Sequence, residues 1–191
     1  PQPPIKAAAE FRVSEFATGD QRLLSGGVAP DGTYFVVWES QFQDGDSFGI
    51  FGRFLSLVGV PLGPEFQINQ ATGSDQKQPS VAVDASGRFT VVWTGQDVSG
   101  GGVFGRQYTS AGPVGPEFQI NAFTTRDQFP PRVSVGPGGI GVVWQSTGQD
   151  GSGGGVFGRI LSPTGTPATG EFGLSTVAVG NQAGPGGAAP D

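Results

Sequence analysis

The chain has 191 residues, with 10 Lys and Arg against 16 Asp and Glu, a formal net charge of −6, and neither Cys nor His. An acidic chain without a basic run is a poor nucleic-acid binder, because phosphates require clustered Lys and Arg. Disulfides, ordinary zinc ligand sets and an imidazole base are excluded, and no stretch reaches the roughly 20 apolar residues of a membrane-spanning helix. Gly at 35 and Pro at 16 predict many turns, while 15 Phe make the remaining segments strand-like rather than disordered. The chain starts at Pro1, without a methionine or a leader-like segment, and reads as a processed or excised piece.

Residues 1–9 read as an N-terminal extension, after which three anchors recur. Glu-Phe begins at Glu10, Glu65, Glu117 and Glu171; Val-Val-Trp ends at Trp38, Trp93 and Trp144; Phe-Gly-Arg ends at Arg53, Arg106 and Arg159. The repeats are therefore 10–64, 65–116 and 117–170. Residues 171–191 are a partial fourth repeat and tail, whose "GGAAPD" echoes "GGVAPD" of the first. Each unit predicts four strands in order. "EFQIN" comes first, then a polar turn with Asp-Gln, then a short β-branched strand such as "PSVAV". A turn such as "APDG" or "DASG" leads to "TVVW", apolar on consecutive positions and so expected to be buried on both faces. A glycine-rich loop then feeds the last strand, "GVFGR". No segment shows helical spacing.

A four-stranded sheet of about 50 residues cannot bury both its faces alone, so the units must pack on one another. Propeller blades have this size and strand count, although three fall short of the four that closure normally needs. The predicted fold is all-β: three tandem four-stranded repeats forming β-propeller-like blades or an array. A closed threefold β-trefoil or β-prism is the alternative. If each sheet borrows its last strand from the next unit's Glu-Phe segment, residues 171–176 complete the third sheet. The Phe11 strand is then left over, free to cap an edge or to pair with a neighbouring chain.

The run "SDQKQPSVAVDASGRFTVVWTGQDVSGGGVFGRQYTSAGPVGPEFQIN" resembles a tandem repeat of large secreted bacterial surface proteins. That repeat carries, in the same order, Asp-Gln, Pro-Ser-Val-Ala, an aspartate-glycine turn, Val-Val-Trp, Gln-Asp-Gly, Phe-Gly-Arg and Glu-Phe-Gln-Val-Asn. The resemblance covers residues 10 to about 182. It implies an extracellular or cell-surface setting, in arrays that accompany adhesive and calcium-binding repeats, and it transfers no catalytic residue. Unit one departs from the pattern with Asp46 and Phe48 in its loop, and unit three has "GPGG" in place of the aspartate turn.

Two glycine motifs fail on context. G-x-G-x-x-G at Gly100 and at Gly153 lies between predicted strands, whereas a dinucleotide site needs a helix to follow. "GDSFG" at Gly45–Gly49 spells a nucleophile elbow, but the chain has no His to serve as its base. Paired carboxylates could perform glycoside hydrolysis, with Asp44 and Asp46, or Glu39 and Asp44, as candidates, although carboxylates at repeated positions more simply serve a structural turn.

Asp44, Asp46, Asp97 and Asp150 are candidate calcium ligands, with an Asx-turn as the plainer reading. Trp38, Trp93 and Trp144 are candidate sugar platforms, with Gln43, Gln96, Gln149, Arg53, Arg106 and Arg159 as hydrogen-bond donors. Against this, the apolar Val-Val-Trp context favours the Trp side chains as core. The expected function is a non-catalytic extracellular module for adhesion or surface assembly, self-associating through its terminal strands. A multivalent lectin for cell-surface glycans is the alternative, and a glycoside hydrolase stands further off.

Overall fold

The computed structural model describes residues 10–175, which form strands and turns without a helix. The N-terminal extension and the tail with its "GGAAPD" echo lie outside the described residues. Blade one is the antiparallel meander β1 (Gln21–Val28), β2 (Tyr34–Gln41), β3 (Phe48–Leu55) and β4 (Phe66–Gln67). Blade two is β5 (Lys77–Val83), β6 (Phe89–Gln96) and β7 (Gly101–Thr109), with β8 (Gly112–Pro113) and β9 (Phe118–Gln119) both pairing with β7. Blade three is β10 (Arg132–Gly136), β11 (Gly139–Thr147), β12 (Gly154–Leu161) and β13 (Phe172–Gly173).

The sheets are offset from the sequence repeats by one strand. Phe66 pairs with Gly52, Phe118 with Gly105 and Phe172 with Gly158, so each blade is completed by the opening segment of the next unit. The Phe11 segment has no ladder partner among the described residues. These outer strands are shorter than "EFQIN" suggests, and in blades one and two an asparagine side chain takes over the next amide. Asn69 Oδ1 accepts from the Ile50 amide, and Asn121 Oδ1 from the Val103 amide, each at 2.8 Å. The glycine of Phe-Gly-Arg is needed for close approach. A Cβ at Gly52 would lie 2.7 Å from the Phe35 ring and 3.1 Å from Ile68, which the outer segment places over the strand.

The three sheets stand side by side rather than closing as a trefoil or prism, with β1 packed beside β5 and β5 beside β10. Each junction has its own core. Between blades one and two, Phe35, Val37, Ile50, Phe54 and Ile68 meet Val81, Phe89, Val91, Trp93 and Tyr108. Phe35 is the hub, stacked on Phe54 at 4.2 Å between centroids and edge-on to Phe89 at 5.4 Å. Between blades two and three, Val92, Val103 and Ile120 meet Ile140, Val142, Trp144 and Leu161. Blades two and three thus each carry their Trp on a leading face toward the preceding blade, and blades one and two each receive it on a trailing face.

Trp93→Ala should lower the unfolding free energy by about 3–5 kcal/mol, as for a buried large aromatic, read by urea denaturation. The exposed Val98→Ala should leave the curve within about 0.5 kcal/mol. Tyr108 provides a pH signature at the first junction. Its hydroxyl donates to the Ile68 carbonyl at 3.0 Å, and burial, partly offset by the Arg106 charge, pushes its pKa up to about 12. The unfolded phenol ionises near its ordinary value of about 10. The stability it contributes is therefore fully present below that pH and is lost as pH rises toward about 12. Tyr108→Phe should flatten this alkaline limb of the stability profile.

Candidate functional site

The Gln-Asp-Gly loops are β-hairpin connections at one end of each blade, and their aspartates hold the loops in shape. Asp97 Oδ1 accepts from the amides of Ser99 and Gly100 at 3.0 and 3.2 Å, and its Oδ2 from the side-chain amides of Gln119 and Asn121, both at 3.3 Å. Asp150 accepts the Ser152 amide at 3.1 Å. Asp44 accepts the Asp46 amide at 3.4 Å and faces Gln67 and Asn69 at 3.5 Å, while Asp46 turns away to the Ser74 amide at 2.8 Å. These are Asx-turns extended onto the outer segment. Among the described residues no three carboxylates gather as a cation site.

The Asp-Gln turns are equally self-contained. Gln21, Gln76 and Gln128 each donate to two carbonyls two and three residues back. They clasp a left-handed residue that is glycine only in unit one: Gly19 at φ 70°, Ser74 at 66° and Arg126 at 64°. Such a conformation costs a non-glycine residue about 1 kcal/mol, which the doubly bonded glutamine offsets.

The arginines form a joint between blades. Arg106 Nε donates to Gly115 O at 2.9 Å, just before its own blade's outer strand, and Nη1 donates to Ile68 O at 3.0 Å, just after that of blade one. Arg159 repeats this with Thr169 O and Ile120 O at 3.1 and 2.7 Å, and Arg53 with Gly63 O and Val13 O at 2.8 and 2.9 Å. Arg53 also pairs with Glu15.

A glutamate closes each joint. Glu65 accepts the amides of Glu15 and Phe16, Glu117 those of Gln70 and Ala71, and Glu171 those of Ala122 and Phe123. Gln43 and Gln149 donate to Glu65 and Glu171, whereas Gln96 is exposed and bonds its neighbour's carbonyl. Residue spacing alone left these glutamates without a role, since their partners lie in the preceding unit.

The Trp platform reading is corrected. Trp38, Trp93 and Trp144 are at most 4% exposed, so none has a face open to a sugar ring. Ser47 of "GDSFG" sits in a strand-to-strand hairpin, and Gly100 and Gly153 lead into β7 and β12 rather than into a helix. Glu39 is fully buried, accepting from Arg22 Nε at 2.9 Å and the Gln78 amide at 2.6 Å. The candidate sugar, cation and carboxylate residues therefore do not converge on one cleft.

A different place does converge. The starts of the three inner strands meet around a groove of about 310 Å³ lined by Leu23, Leu24, Gln78, Pro79, Pro130 and Arg132, among others. β1 and β5 are bulged there, with Leu23 and Gln78 left-handed at φ 49° and 58°. Bulges re-aim side chains in this way. Sequence spacing missed this groove because Leu-Leu, Gln-Pro and Pro-Pro occupy equivalent positions and share no motif.

No family model matches the chain, and no curated protein matches it. Among solved structures it is similar to a subtype N11 neuraminidase-like protein of A/flat-faced bat/Peru/033/2010 (H18N11), at 13% identity and a TM-score of 0.50. That match covers 82% of this chain and 39% of the other, so the chain spans well under half of that protein. It is also similar to the endo-arabinase of Bacteroides thetaiotaomicron VPI-5482, at 11% identity and a TM-score of 0.46, covering 66% of this chain and 51% of the other. At this identity the likeness is one of fold: the three sheets are propeller-like blades.

Arg106→Lys should cost about 2 kcal/mol, since a lysine cannot hold two carbonyls at fixed spacing as the guanidinium does. Gln96→Ala should be neutral within about 0.5 kcal/mol. Equal losses from the two, measured by denaturant unfolding, would remove Arg106 from the joint.

Proposed function

We propose that the chain is a non-catalytic repeat module acting by surface contact, in adhesion or assembly outside the cell. The observation that carries this is the engagement of the repeated polar side chains. The Arg, Glu, Asp, Asn and turn Gln residues that recur from unit to unit are bonded to backbone or side-chain groups of their own or the neighbouring blade. Repetition here serves the joints between blades. The resemblance to repeats of secreted bacterial surface proteins supports the extracellular setting.

The lectin reading keeps one specific support, the groove where the inner strands meet. It offers Gln78 and Arg132 beside Leu23, Leu24 and Pro130, the mixture of polar and apolar lining that small-ligand sites use. A glycan array decides between the readings: the assembly module gives no signal, and a signal abolished by Arg132→Ala would establish the lectin.

The loops are expected to hold themselves without calcium. Thermal melts with and without a calcium chelator should then coincide, whereas a ligand bound at 100 times its Kd would stabilise by about 2.7 kcal/mol. A lowered melting temperature in chelator would assign a cation to the Asp44–Asp46 loop.

A further inference from the structure

The two joints between blades share their ladders but not their filling. Register places Thr90 and Gln107 of blade two where blade one has Phe35 and Phe54. It likewise places Ile140 and Leu161 of blade three where blade two has Phe89 and Tyr108. In the first joint these four positions are rings in contact: Phe35 lies 4.2 Å from Phe54, 5.4 Å from Phe89 and 5.5 Å from Tyr108 between centroids. In the second joint the same four positions carry no aromatic ring.

The volume of those rings is not closed up. A cleft of about 610 Å³ opens between blades two and three, lined by Val83, Asp84, Thr90, Val135, Ile140 and Pro163, among others. Its walls are the β5–β6 hairpin on one side, and the β10–β11 hairpin with the turn after β12 on the other. A mainly apolar recess of this size with a few placed polar groups is what small-molecule sites use.

The polar groups sit at the floor and the rim. Gln107 Nε2 donates to Thr90 Oγ1 at 3.2 Å and to Pro163 O at 2.9 Å, which fastens the turn of blade three to blade two. Thr90 is 1% exposed, and its hydroxyl hydrogen has no acceptor among the described residues. At the rim, Asp84 stands where blade one has the buried Ala29, for their amides donate to the Arg88 and Thr33 carbonyls in equivalent turns. Asp84 Oδ1 accepts from the Ser86 amide and hydroxyl and from the Arg88 amide. Its Oδ2 accepts no hydrogen bond among the described residues, and Arg88 Nη1 donates instead to Gln107 Oε1 at 3.4 Å.

We infer that the cleft between blades two and three binds a small aromatic amine, its ring in the place that Phe35 fills at the first joint and its ammonium on Asp84 Oδ2. Charge selects the class. Asp84 is the one charged side chain lining the cleft, so a cation is attracted there and a carboxylate repelled. The ring lies between Val83, Val135 and Ile140, with the Thr90 hydroxyl free to donate to its π face. This site is independent of the adhesion or assembly reading.

Titration of the full chain with phenethylamine, followed by amide NMR, tests the site. Saturable shifts should centre on Asp84, Thr90, Val135 and Ile140, with a Kd of about 1 mM, as suits so small a ligand. 3-Phenylpropionate, with a similar ring and the opposite charge, should bind about tenfold more weakly. Asp84→Asn keeps the Oδ1 acceptor of the turn and should weaken phenethylamine about fivefold. Thr90→Phe puts a ring back into the cleft and should abolish binding while the strand circular-dichroism spectrum is kept. If that variant fails to fold, Ile140→Phe fills the same cleft from blade three.

A titration without saturable shifts, or with shifts centred elsewhere, would overturn the inference. Equal affinity for the two probes, or an Asp84→Asn variant that binds as well as the unsubstituted chain, would overturn the amine. Binding that survives a folded Thr90→Phe or Ile140→Phe variant would place the ring outside the cleft.

Discussion

The guanidinium of Arg106 bonds one carbonyl just before the outer strand of its own blade and another just after that of the blade before; Arg159 repeats the arrangement, and Arg53 bonds Gly63 O and, in the N-terminal segment, Val13 O. The remaining architecture depends on that pair of hydrogen bonds. A two-residue outer strand is too short to hold itself on a sheet edge by its ladder alone. It is held because the chain on one side bonds the arginine of its own blade, while the chain on the other side bonds the arginine and glutamate of the next. The positive charge is met by carbonyl dipoles, and among the described residues only Arg53 of the three adds a carboxylate. Charged donors to neutral acceptors are each worth about 1.5–3 kcal/mol when shielded from water.

The apolar part of each joint follows from the same placement. With the outer segment fixed, Ile68 and Ile120 lie over the glycine of Phe-Gly-Arg and enter the core between blades. Each blade is thin and buries its faces only against neighbours, so stability is a chain of nearest-neighbour terms rather than one central core. The first joint is the more aromatic, with Phe35, Phe54, Phe66, Phe89 and Tyr108 in mutual contact, and the second is mainly aliphatic.

Much of this was legible in the residues. Consecutive apolar positions in Val-Val-Trp announced a strand buried on both faces, and the Trp side chains are indeed core. The count of Glu-Phe segments against Phe-Gly-Arg segments raised the one-strand offset as a condition, and the ladders at Phe66, Phe118 and Phe172 meet it. What could not be read was non-local. The glutamates of Glu-Phe act on amides 46 to 50 residues away, at loop positions occupied by Glu15, Gln70 and Ala122, which share no side-chain chemistry. Backbone recognition leaves no trace in residue identity at the recognised end. The groove at the inner strands was hidden for a related reason. A bulge is a backbone event, and Leu23 and Gln78 adopt it with unlike side chains, while Pro130 lines the same groove.

The one-strand offset between sequence unit and sheet bears on how such a protein lengthens. A DNA duplication spanning one unit inserts three strands of a new blade together with the strand that finishes the blade before. Its arginine and glutamate arrive already facing the segment they must hold. Neither old joint has to be redesigned, and the inserted one is correct from the start. Had unit and sheet coincided, neighbouring blades would have shared no strand, and each added copy would have needed a new interface selected from the surface. The stagger makes the number of blades variable while the joint stays constant.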